Sequence, residues 1–327
     1  MKAQAPKYFN KKFGLGMLFL PLAGLYWFAG KMAKLFSVGY RAKATVVCVG
    51  NVVVGGVGKT PLVIEVVEHF LKLGKRVAVI SRGYGSDSEK GETPVFVDVK
   101  KSTADEVGDE PLMIAKRFRG KVPVCICRNR GVGLQCLDAM GVDVVVADDG
   151  LQNYTFKKDK VVIVFDGKDC IGNGWILPAG PLRETLTSGM KKADIVMMMR
   201  QANPTFEKRL WRYGKPVFHA KTVVQNTAEF AGKKVVAFAG IGKPEKFYKS
   251  LSEAGANIVG TYDFDDHHHY VETEILHLVD MAKKHKAMLV TTEKDFVKLP
   301  TRLADKISVL RIGVEIDNPD EFFDGLK

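Results

Sequence analysis

The loop of residues 54–60 has the residue types that bind the phosphates of a nucleotide. Its sequence, Val-Gly-Gly-Val-Gly-Lys-Thr, lies between a β-rich apolar stretch and a segment with helical spacing of apolar residues. Glycines let backbone N–H groups turn inward around phosphate oxygens, and a helix N-terminus adds unpaired donors. Lys59 can reach the outer phosphates, and Thr60 can place a hydroxyl on Mg²⁺. We therefore predict a nucleotide site formed by Val53, Val54, Gly55, Gly56, Val57, Gly58, Lys59 and Thr60.

One position departs from the common phosphate-loop pattern G-x-x-x-x-G-K-[ST], because Val53 stands where that pattern has glycine. The variant loops of partitioning-type ATPases carry a lysine just before their glycine pair, and this chain has Val54 there. The structural alternative is a glycine turn that only begins a helix. The Gly-Lys-Thr ending favours nucleotide binding, but it leaves the type of nucleotide reaction open.

Other residues with chemical potential follow predicted strands. Asp148 and Asp149 end the strand predicted over 142–147, where carboxylates can hold Mg²⁺, although an Asp-Gly turn is the alternative. Asp109 lies two residues before Pro111, where a helix-capping residue could stand. The loop 263–269 carries three adjacent histidines among acids. No Cys or spaced His completes a zinc set, so we expect one histidine to pair with a carboxylate, as an acid–base dyad or as a helix cap.

The composition indicates a soluble globular protein with anionic partners. Of the 327 residues, 46% are hydrophobic and 26% are charged, and the net charge is +12. A basic chain favours nucleic acid, phosphorylated substrates or an acidic membrane surface, and charge alone does not choose among them. The five cysteines contain no Cys-x-x-Cys pair, which favours free thiols in a reducing cytosol.

The N-terminus contains an uncharged apolar run over residues 13–30, between Lys12 and Lys31. A membrane-spanning helix needs about 20 apolar residues, so this run is marginal, and Pro21 and four glycines interrupt it. Its flanks are basic on both sides. We expect an interfacial segment on an anionic leaflet; a helix packed on the protein's own core and a true span are the alternatives.

Strands and helices alternate along the rest of the chain, which predicts an α/β fold with a parallel sheet. Strands are predicted near residues 46–49, 75–80, 122–127, 142–147, 161–165, 195–198, 234–239, 257–262 and 287–290. We expect an apolar segment over 1–44, a phosphate-loop domain over 45–216, a strand linker over 217–229 and a smaller α/β domain over 230–327.

Several ordered motifs together resemble the tetraacyldisaccharide 4′-kinase (lipid A 4′-kinase) family, which also lacks the first glycine of the loop pattern. The motifs are Gly50-Asn51 with 54–61 (Val-Gly-Gly-Val-Gly-Lys-Thr-Pro), 81–85 (Ser-Arg-Gly-Tyr-Gly), 108–111 (Gly-Asp-Glu-Pro), 148–152 (Asp-Asp-Gly-Leu-Gln), 177–184 (Leu-Pro-Ala-Gly-Pro-Leu-Arg-Glu), 266–268 (Asp-His-His) and 291–295 (Thr-Thr-Glu-Lys-Asp).

This resemblance implies ATP-dependent phosphorylation of the 4′-hydroxyl of a tetraacyl glucosamine disaccharide 1-phosphate in lipopolysaccharide biosynthesis. It implies two α/β/α domains with the site in their cleft, on the cytoplasmic face of a Gram-negative inner membrane. The implied roles are a catalytic base at Asp109, its partner at His267, a phosphate contact at Arg183, and acids around Mg²⁺ and ATP at Asp148, Asp149 and Glu184. Without the resemblance, Arg183 and Glu184 could be an ordinary surface ion pair. Many members have histidine where this chain has Asn153, so the resemblance assigns that position no role.

Two other functions stay open at this stage. A membrane-recruited regulatory ATPase of the partitioning type shares the glycine loop and the apolar segment, but Val54 in place of a lysine argues against it. A nucleic-acid-binding ATPase would use the positive charge, but aromatic and basic residues are not interleaved as in stacking platforms. We expect a monomer that binds the lipid substrate and the anionic membrane surface and no nucleic acid.

Overall fold

The structure, a computed structural model, describes residues 6–11 and 13–327. Its strands are β1 Thr45–Gly50, β2 Val77–Ser81, β3 Val95–Phe96, β4 Val124–Ile126, β5 Val144–Asp148, β6 Lys160–Asp166, β7 Ile195–Met199, β8 Val217–Val224, β9 Lys234–Ala239, β10 Asn257–Asp263, β11 Met288–Thr292, β12 Ile307–Leu310 and β13 Ile312–Ile316. Its α-helices are α1 Leu20–Leu35, α2 Lys59–Lys72, α3 Ala104–Val107, α4 Asp109–Arg117, α5 Arg130–Ala139, α6 Leu186–Met190, α7 Pro204–Trp211, α8 Pro244–Glu253, α9 Glu272–Lys284, α10 Glu293–Phe296 and α11 Pro319–Asp324.

The larger sheet has the strand order β13-β8-β7-β6-β1-β5-β2-β4-β3. Its pairs are parallel except β3 with β4 and β13 with β8. Alternate side chains of a strand point to opposite faces, so Val47 and Val49 pack in one core, and Val46 and Cys48 pack in the other. Helix α2 covers the first face and α5 covers the second. This three-layer arrangement confirms the predicted α/β fold class.

The smaller sheet has the order β10-β9-β11-β12 with parallel pairing throughout. Helix α9 packs on one face and α8 on the other, so each face has its own apolar core. Val297, which follows α10, packs with Val107, Leu112 and Ile126 of the larger unit. The two units therefore share a small apolar contact beside α4.

The domain limits drawn from the sequence stay a prediction, and the strands are distributed differently from them in two places. Strand β8, expected as a linker, is hydrogen-bonded to β7 in the larger sheet. Strand β13 and helix α11 also return to this sheet, and Phe322 and Phe323 join its core. The antiparallel pairing of β13 with β8 brings together residues about ninety positions apart, which local sequence patterns do not encode.

The N-terminal apolar run forms helix α1, which is largely uncovered. The segment Leu15–Leu35 is long and apolar enough to cross a membrane, and 11% of its most apolar window is buried. Ala23 is the buried residue of α1, whereas Leu18, Leu25 and Phe28 are exposed. The structure therefore does not support a helix packed on the protein's own core. Lys12, part of the predicted basic flank, lies outside the described residues.

Candidate active site

The phosphate loop joins the carboxyl end of β1 to the first turn of α2 in an open conformation. Gly55 and Gly58 have φ of +109° and +90°, in the region that favours glycine. The backbone N–H of Val54 donates to the Pro181 carbonyl at 2.9 Å, which ties the loop to the segment before Arg183. A Cβ atom at Gly56 would meet nothing within 4 Å. The loop therefore leaves room for a ligand against its backbone.

Lys59 is held at the loop by two polar groups. Its Nζ donates to Asn51 Oδ1 at 3.1 Å and lies 3.7 Å from Asp149 Oδ1. Asn51 is fully buried, and its amide also donates to the Val53 carbonyl. Asn51 therefore fixes both the lysine and the loop backbone. The sequence placed Asn51 in a motif without giving it a role.

Asp149 collects two cations at the end of β5. Arg183 donates to Asp149 Oδ2 at 2.8 Å, and Lys59 approaches the other oxygen. Although burial opposes it, these two charges lower the pKa of Asp149 below its usual value. Asp149 therefore stays ionised and brings Lys59 and Arg183 to one place.

Asp148, the residue before Asp149, is buried, and few partners offset the cost of burying its charge. Its Oδ1 atom has no hydrogen-bond partner. Burial, with the nearby charges of Glu110 and Asp149, raises the pKa of Asp148 to about 7. Glu110 is the second residue of α4, after Asp109, so the start of this helix lies near Asp148. A buried carboxylate oxygen without a hydrogen-bond partner fits a divalent cation. Glu110, whose charge acts on Asp148, was not singled out in the sequence analysis.

Arg130 is a second buried residue that the sequence analysis missed. Its guanidinium donates to the backbone carbonyls of Asp148 and Asp149 at 3.3 Å and 3.2 Å. It is 3% exposed, so a full positive charge lies under the turn that carries both acids. A basic residue at the start of a helix gives no distinctive pattern in a sequence.

Glu184 has its own polar partners and contacts neither Lys59 nor Asp149 in the hydrogen bonds and ion pairs described above. Its carboxylate accepts hydrogen bonds from Gln152 at 3.0 Å and Ser188 at 2.8 Å, and it pairs with Lys192 at 2.5 Å. It does not pair with its neighbour Arg183, which contacts Asp149 instead. The assignment of Glu184 to a metal stays a prediction.

In the described part of the chain, no three His, Cys, Asp or Glu side chains cluster as a metal cage. Mg²⁺ in phosphoryl-transfer sites commonly uses one or two carboxylates together with phosphate oxygens and water, so a cage is not required. Asp148, with its unpaired oxygen, and Thr60, in the first turn of α2, fit such a site. Asp149 already has two cationic partners, and its assignment as a ligand stays a prediction.

We expect Asp148→Asn to stabilise the metal-free protein at pH 8. The folded-state pKa is raised, so the ionised carboxyl costs stability, which falls as pH rises from about 4 through 7. An amide removes this buried charge, and the free energy of unfolding should rise by about 1–3 kcal/mol. Urea unfolding with a chelator at pH 8 and pH 5 measures the difference, which should shrink at pH 5. A variant that is less stable at both pH values would contradict the expectation.

A second group of candidate site side chains joins the two units. His267 Nδ1 lies 2.8 Å from Asp109 Oδ2, across 158 positions of sequence. Asp109 is the first residue of α4, whose N-cap is Gly108 without a side-chain cap bond, so the cap alternative for Asp109 is not seen. His267 has φ of +60°, and its N–H donates to the Gly240 carbonyl. The structure thus forms a carboxylate–imidazole pair at the boundary of the two units.

Each of the three adjacent histidines has a different carboxylate partner. His268 pairs with Glu274 at 2.9 Å, near the start of α9, and His269 pairs with Asp105 at 3.1 Å. The carboxylate partners of the three histidines lie on three different helices, α4, α9 and α3. His267 forms the dyad and His268 supports a helix start, so both alternatives for a histidine–carboxylate pair occur in this loop.

Asn153 shapes its own turn. Its Oδ1 accepts hydrogen bonds from the backbone N–H and the hydroxyl of Thr155, at 2.9 Å and 2.6 Å. Its amide nitrogen lies 3.4 Å from the Arg128 carbonyl. These contacts give position 153 a local structural function in this chain.

The chain is similar to known proteins both in sequence and in overall structure. A family model described as tetraacyldisaccharide-1-P 4′-kinase matches residues 15–327. A tetraacyldisaccharide 4′-kinase of Methylobacterium radiotolerans is 40% identical over 311 residues, covering 94% of this chain and 91% of the relative. Its counterpart in Paramagnetospirillum magneticum is 36% identical, covering 97% and 95%. The crystal structure of LpxK from Aquifex aeolicus in complex with ATP has 26% identity and a TM-score of 0.76, and covers 96% of this chain and 98% of that one.

Proposed function

The chain belongs to the tetraacyldisaccharide 4′-kinase family, and we propose that Asp109 is the base with which it phosphorylates its lipid substrate. The enzyme is an ATP-dependent kinase that acts on the 4′-hydroxyl of a tetraacyl glucosamine disaccharide 1-phosphate in lipid A biosynthesis. The observation that carries the assignment of the base is the 2.8 Å contact between Asp109 and His267. A regulatory ATPase is not favoured, because the family match extends over almost the whole chain.

The phosphate end of the reaction is assigned to the loop and the cations around Asp149. The loop N–H groups and Lys59 hold the β- and γ-phosphate oxygens of ATP, and Arg183 stabilises the charge on the transferred group. Mg²⁺, when bound, neutralises phosphate charge; Asp148 and Thr60 would hold it, with Glu110 beside them. Asp149 keeps Lys59 and Arg183 in place. This division follows the partners that each side chain already has.

The acceptor end is assigned to the dyad. Asp109 accepts a hydrogen bond from the sugar hydroxyl with one carboxylate oxygen while His267 donates to the other. The hydroxyl oxygen forms a bond to the γ-phosphorus, the bond from that phosphorus to ADP breaks, and the hydroxyl proton passes to Asp109. Asp109 begins a helix whose second residue, Glu110, acts electrostatically on Asp148. The base and the phosphate site therefore lie on adjoining elements.

A phosphate-transfer assay with γ-labelled ATP and the lipid disaccharide tests the function. Label should appear in the lipid, at the 4′ position, and lipid without a free 4′-hydroxyl should accept none. Release of ADP and free phosphate with no labelled lipid would contradict the proposal and would indicate a regulatory ATPase.

We also propose that α1 holds the enzyme on the cytoplasmic face of the inner membrane, as a peripheral or monotopic protein. The support is the exposed apolar surface of α1, with Lys31 and Lys34 on the same helix. ATP is cytoplasmic, while the acyl chains of the substrate stay in the bilayer. A helix that lies in the interface would hold the enzyme at the membrane surface, so the lipid substrate need not be extracted.

The double variant Leu25→Glu/Phe28→Glu should reduce sedimentation with anionic vesicles by about tenfold or more, because each charge opposes insertion of an apolar face. Leu25 and Phe28 are 67% and 58% exposed, so the fold should tolerate the changes. Trp211→Glu is the matched control, since Trp211 is 60% exposed on α7. Unchanged sedimentation of the double variant, or an equal loss in the control, would refute the role of α1.

A further inference from the structure

We propose that Lys294 is a positioning residue that keeps His267 neutral, with its proton on Nδ1. The inference rests on the proposed function, in which His267 acts as the partner of Asp109. Lys294 is the second residue of α10, and its Nζ lies 3.3 Å from His267 Nε2. The other ring nitrogen, Nδ1, faces Asp109 at 2.8 Å. The imidazole is therefore held between a carboxylate and an ammonium group.

The chemistry of the two neighbours determines where the proton lies. A lysine ammonium has three N–H donors and no acceptor, so a hydrogen bond from Lys294 requires an unprotonated Nε2. An ionised carboxylate only accepts, so Asp109 requires a proton on Nδ1. Both contacts are satisfied together by one neutral tautomer. In the imidazolium form, an Nε2–H group would point at the ammonium of Lys294, which like charges disfavour.

Lys294 also offsets the charge of Asp266, a carboxylate that favours the imidazolium form of His267. Asp266 Oδ1 lies 3.8 Å from His267 Nε2 and 3.7 Å from Lys294 Nζ. A carboxylate at this distance favours the imidazolium form, and the ammonium group beside it cancels much of that effect. Although burial opposes it, Lys298, further along the chain from α10, and Lys294 itself both lower the pKa of Asp109, and the charge of Lys294 does so less than the charge of His267. Removal of Lys294 would leave His267 between two acids, Asp109 and Asp266.

The position of Lys294 relative to Asp109 is fixed by its neighbours. Thr292 caps α10 by accepting from the Asp295 N–H at 3.0 Å. Glu293 accepts from Arg117, the last residue of α4, at 2.6 Å, and both side chains are nearly buried. Because α4 begins with Asp109 and ends with Arg117, one short helix of the smaller unit contacts both the dyad and the far end of α4. The helix that carries Lys294 is thus fixed against α4, the helix that carries Asp109.

The consequence for catalysis is a pH dependence. Asp109 hydrogen-bonded to a neutral imidazole keeps more of its basicity than Asp109 paired with an imidazolium ion. Lys294→Met should therefore lower kcat by about tenfold at pH 6.5 and by less than about twofold at pH 9, where the ring is neutral again. The KM for ATP should not change, because ATP binds at the other end of the site.

The experiment measures kcat and KM for ATP between pH 6 and 9.5 in phosphate transfer to the lipid disaccharide. Lys294→Arg keeps the charge and the donor and should retain the wild-type pH profile. In Lys294→Met/Asp266→Asn, the acid that attracts the proton is removed, so activity at pH 6.5 should recover by several-fold. Lys283→Met, which changes an exposed lysine of α9, is the matched control and should match wild type.

If the role of Lys294 is purely structural, Lys294→Met will lose activity equally at all pH values, and this result would overturn the proposal. A wild-type pH profile for Lys294→Met would also overturn it. If Lys294→Met does not fold, the Lys294→Arg profile still decides, because loss of acid-side activity in that variant contradicts the proposal. His267→Ala separates the two levels of inference. Full turnover of His267→Ala would refute the dyad itself, whereas a loss in His267→Ala with a wild-type Lys294→Met would refute only the role of Lys294.

Discussion

Asp109→Ala is expected to lower kcat by about 10²–10⁴-fold, the range that general-base catalysis contributes. In the proposed mechanism, His267 occupies one oxygen of the Asp109 carboxylate and the other oxygen orients the sugar hydroxyl. Although burial opposes it, the hydrogen bond from His267 and nearby lysine charges lower the pKa of Asp109 below its usual value. The Asp109 carboxyl is therefore ionised at neutral pH. Steady-state transfer of phosphate to the lipid measures the effect, with little change in the KM for ATP.

Asp105→Ala is the matched control for this variant. Asp105 also pairs with a histidine of the smaller unit, His269 at 3.1 Å, but both side chains are largely exposed. The Asp105→Ala variant tests whether the loss of any histidine–carboxylate contact between the units lowers activity. Near-normal turnover of Asp109→Ala, or an equally large loss in Asp105→Ala, would refute the assignment of the base.

Lys59→Ala is expected to lower kcat/KM for ATP by about 10²–10³-fold. Charge-assisted hydrogen bonds to phosphate oxygens contribute about 1.5–3 kcal/mol each, and the ammonium also stabilises the transferred group. The substitution leaves Asn51 Oδ1 without its donor and leaves Asp149 with Arg183 as its close cation. ATP affinity, measured by calorimetry, should weaken together with the rate.

Lys72→Ala, at the exposed end of the same helix α2, is the control for charge and helix content. We expect wild-type kinetics from it. Unchanged ATP affinity and rate in Lys59→Ala would overturn the role of the loop. Lys59→Arg is not a conservative rescue, because the planar guanidinium is longer and differs in shape from a point charge.

The sequence alone was sufficient for the parts of the protein that depend on local patterns. The loop of residues 54–60, with the strand before it and the helix after it, was predicted because glycine spacing and apolar periodicity are properties of adjacent residues. The alternation of strands and helices gave the α/β fold class, which the structure confirms. The ordered motifs gave the family, which the comparisons confirm.

The pairing of Asp109 with His267 was expected from family resemblance, and only the tertiary structure shows the contact. These residues lie on different units, and a period of two or 3.6 residues carries no information about which loops meet. Asn51, Arg130 and Glu110 act through burial and charge, and neither quantity can be read from residue order. The same reason explains Glu184, whose adjacency to Arg183 suggested an ion pair that the fold replaced with Lys192. Local spacing predicted the loop that we propose to bind phosphate, whereas long-range packing decided which charged groups surround that loop.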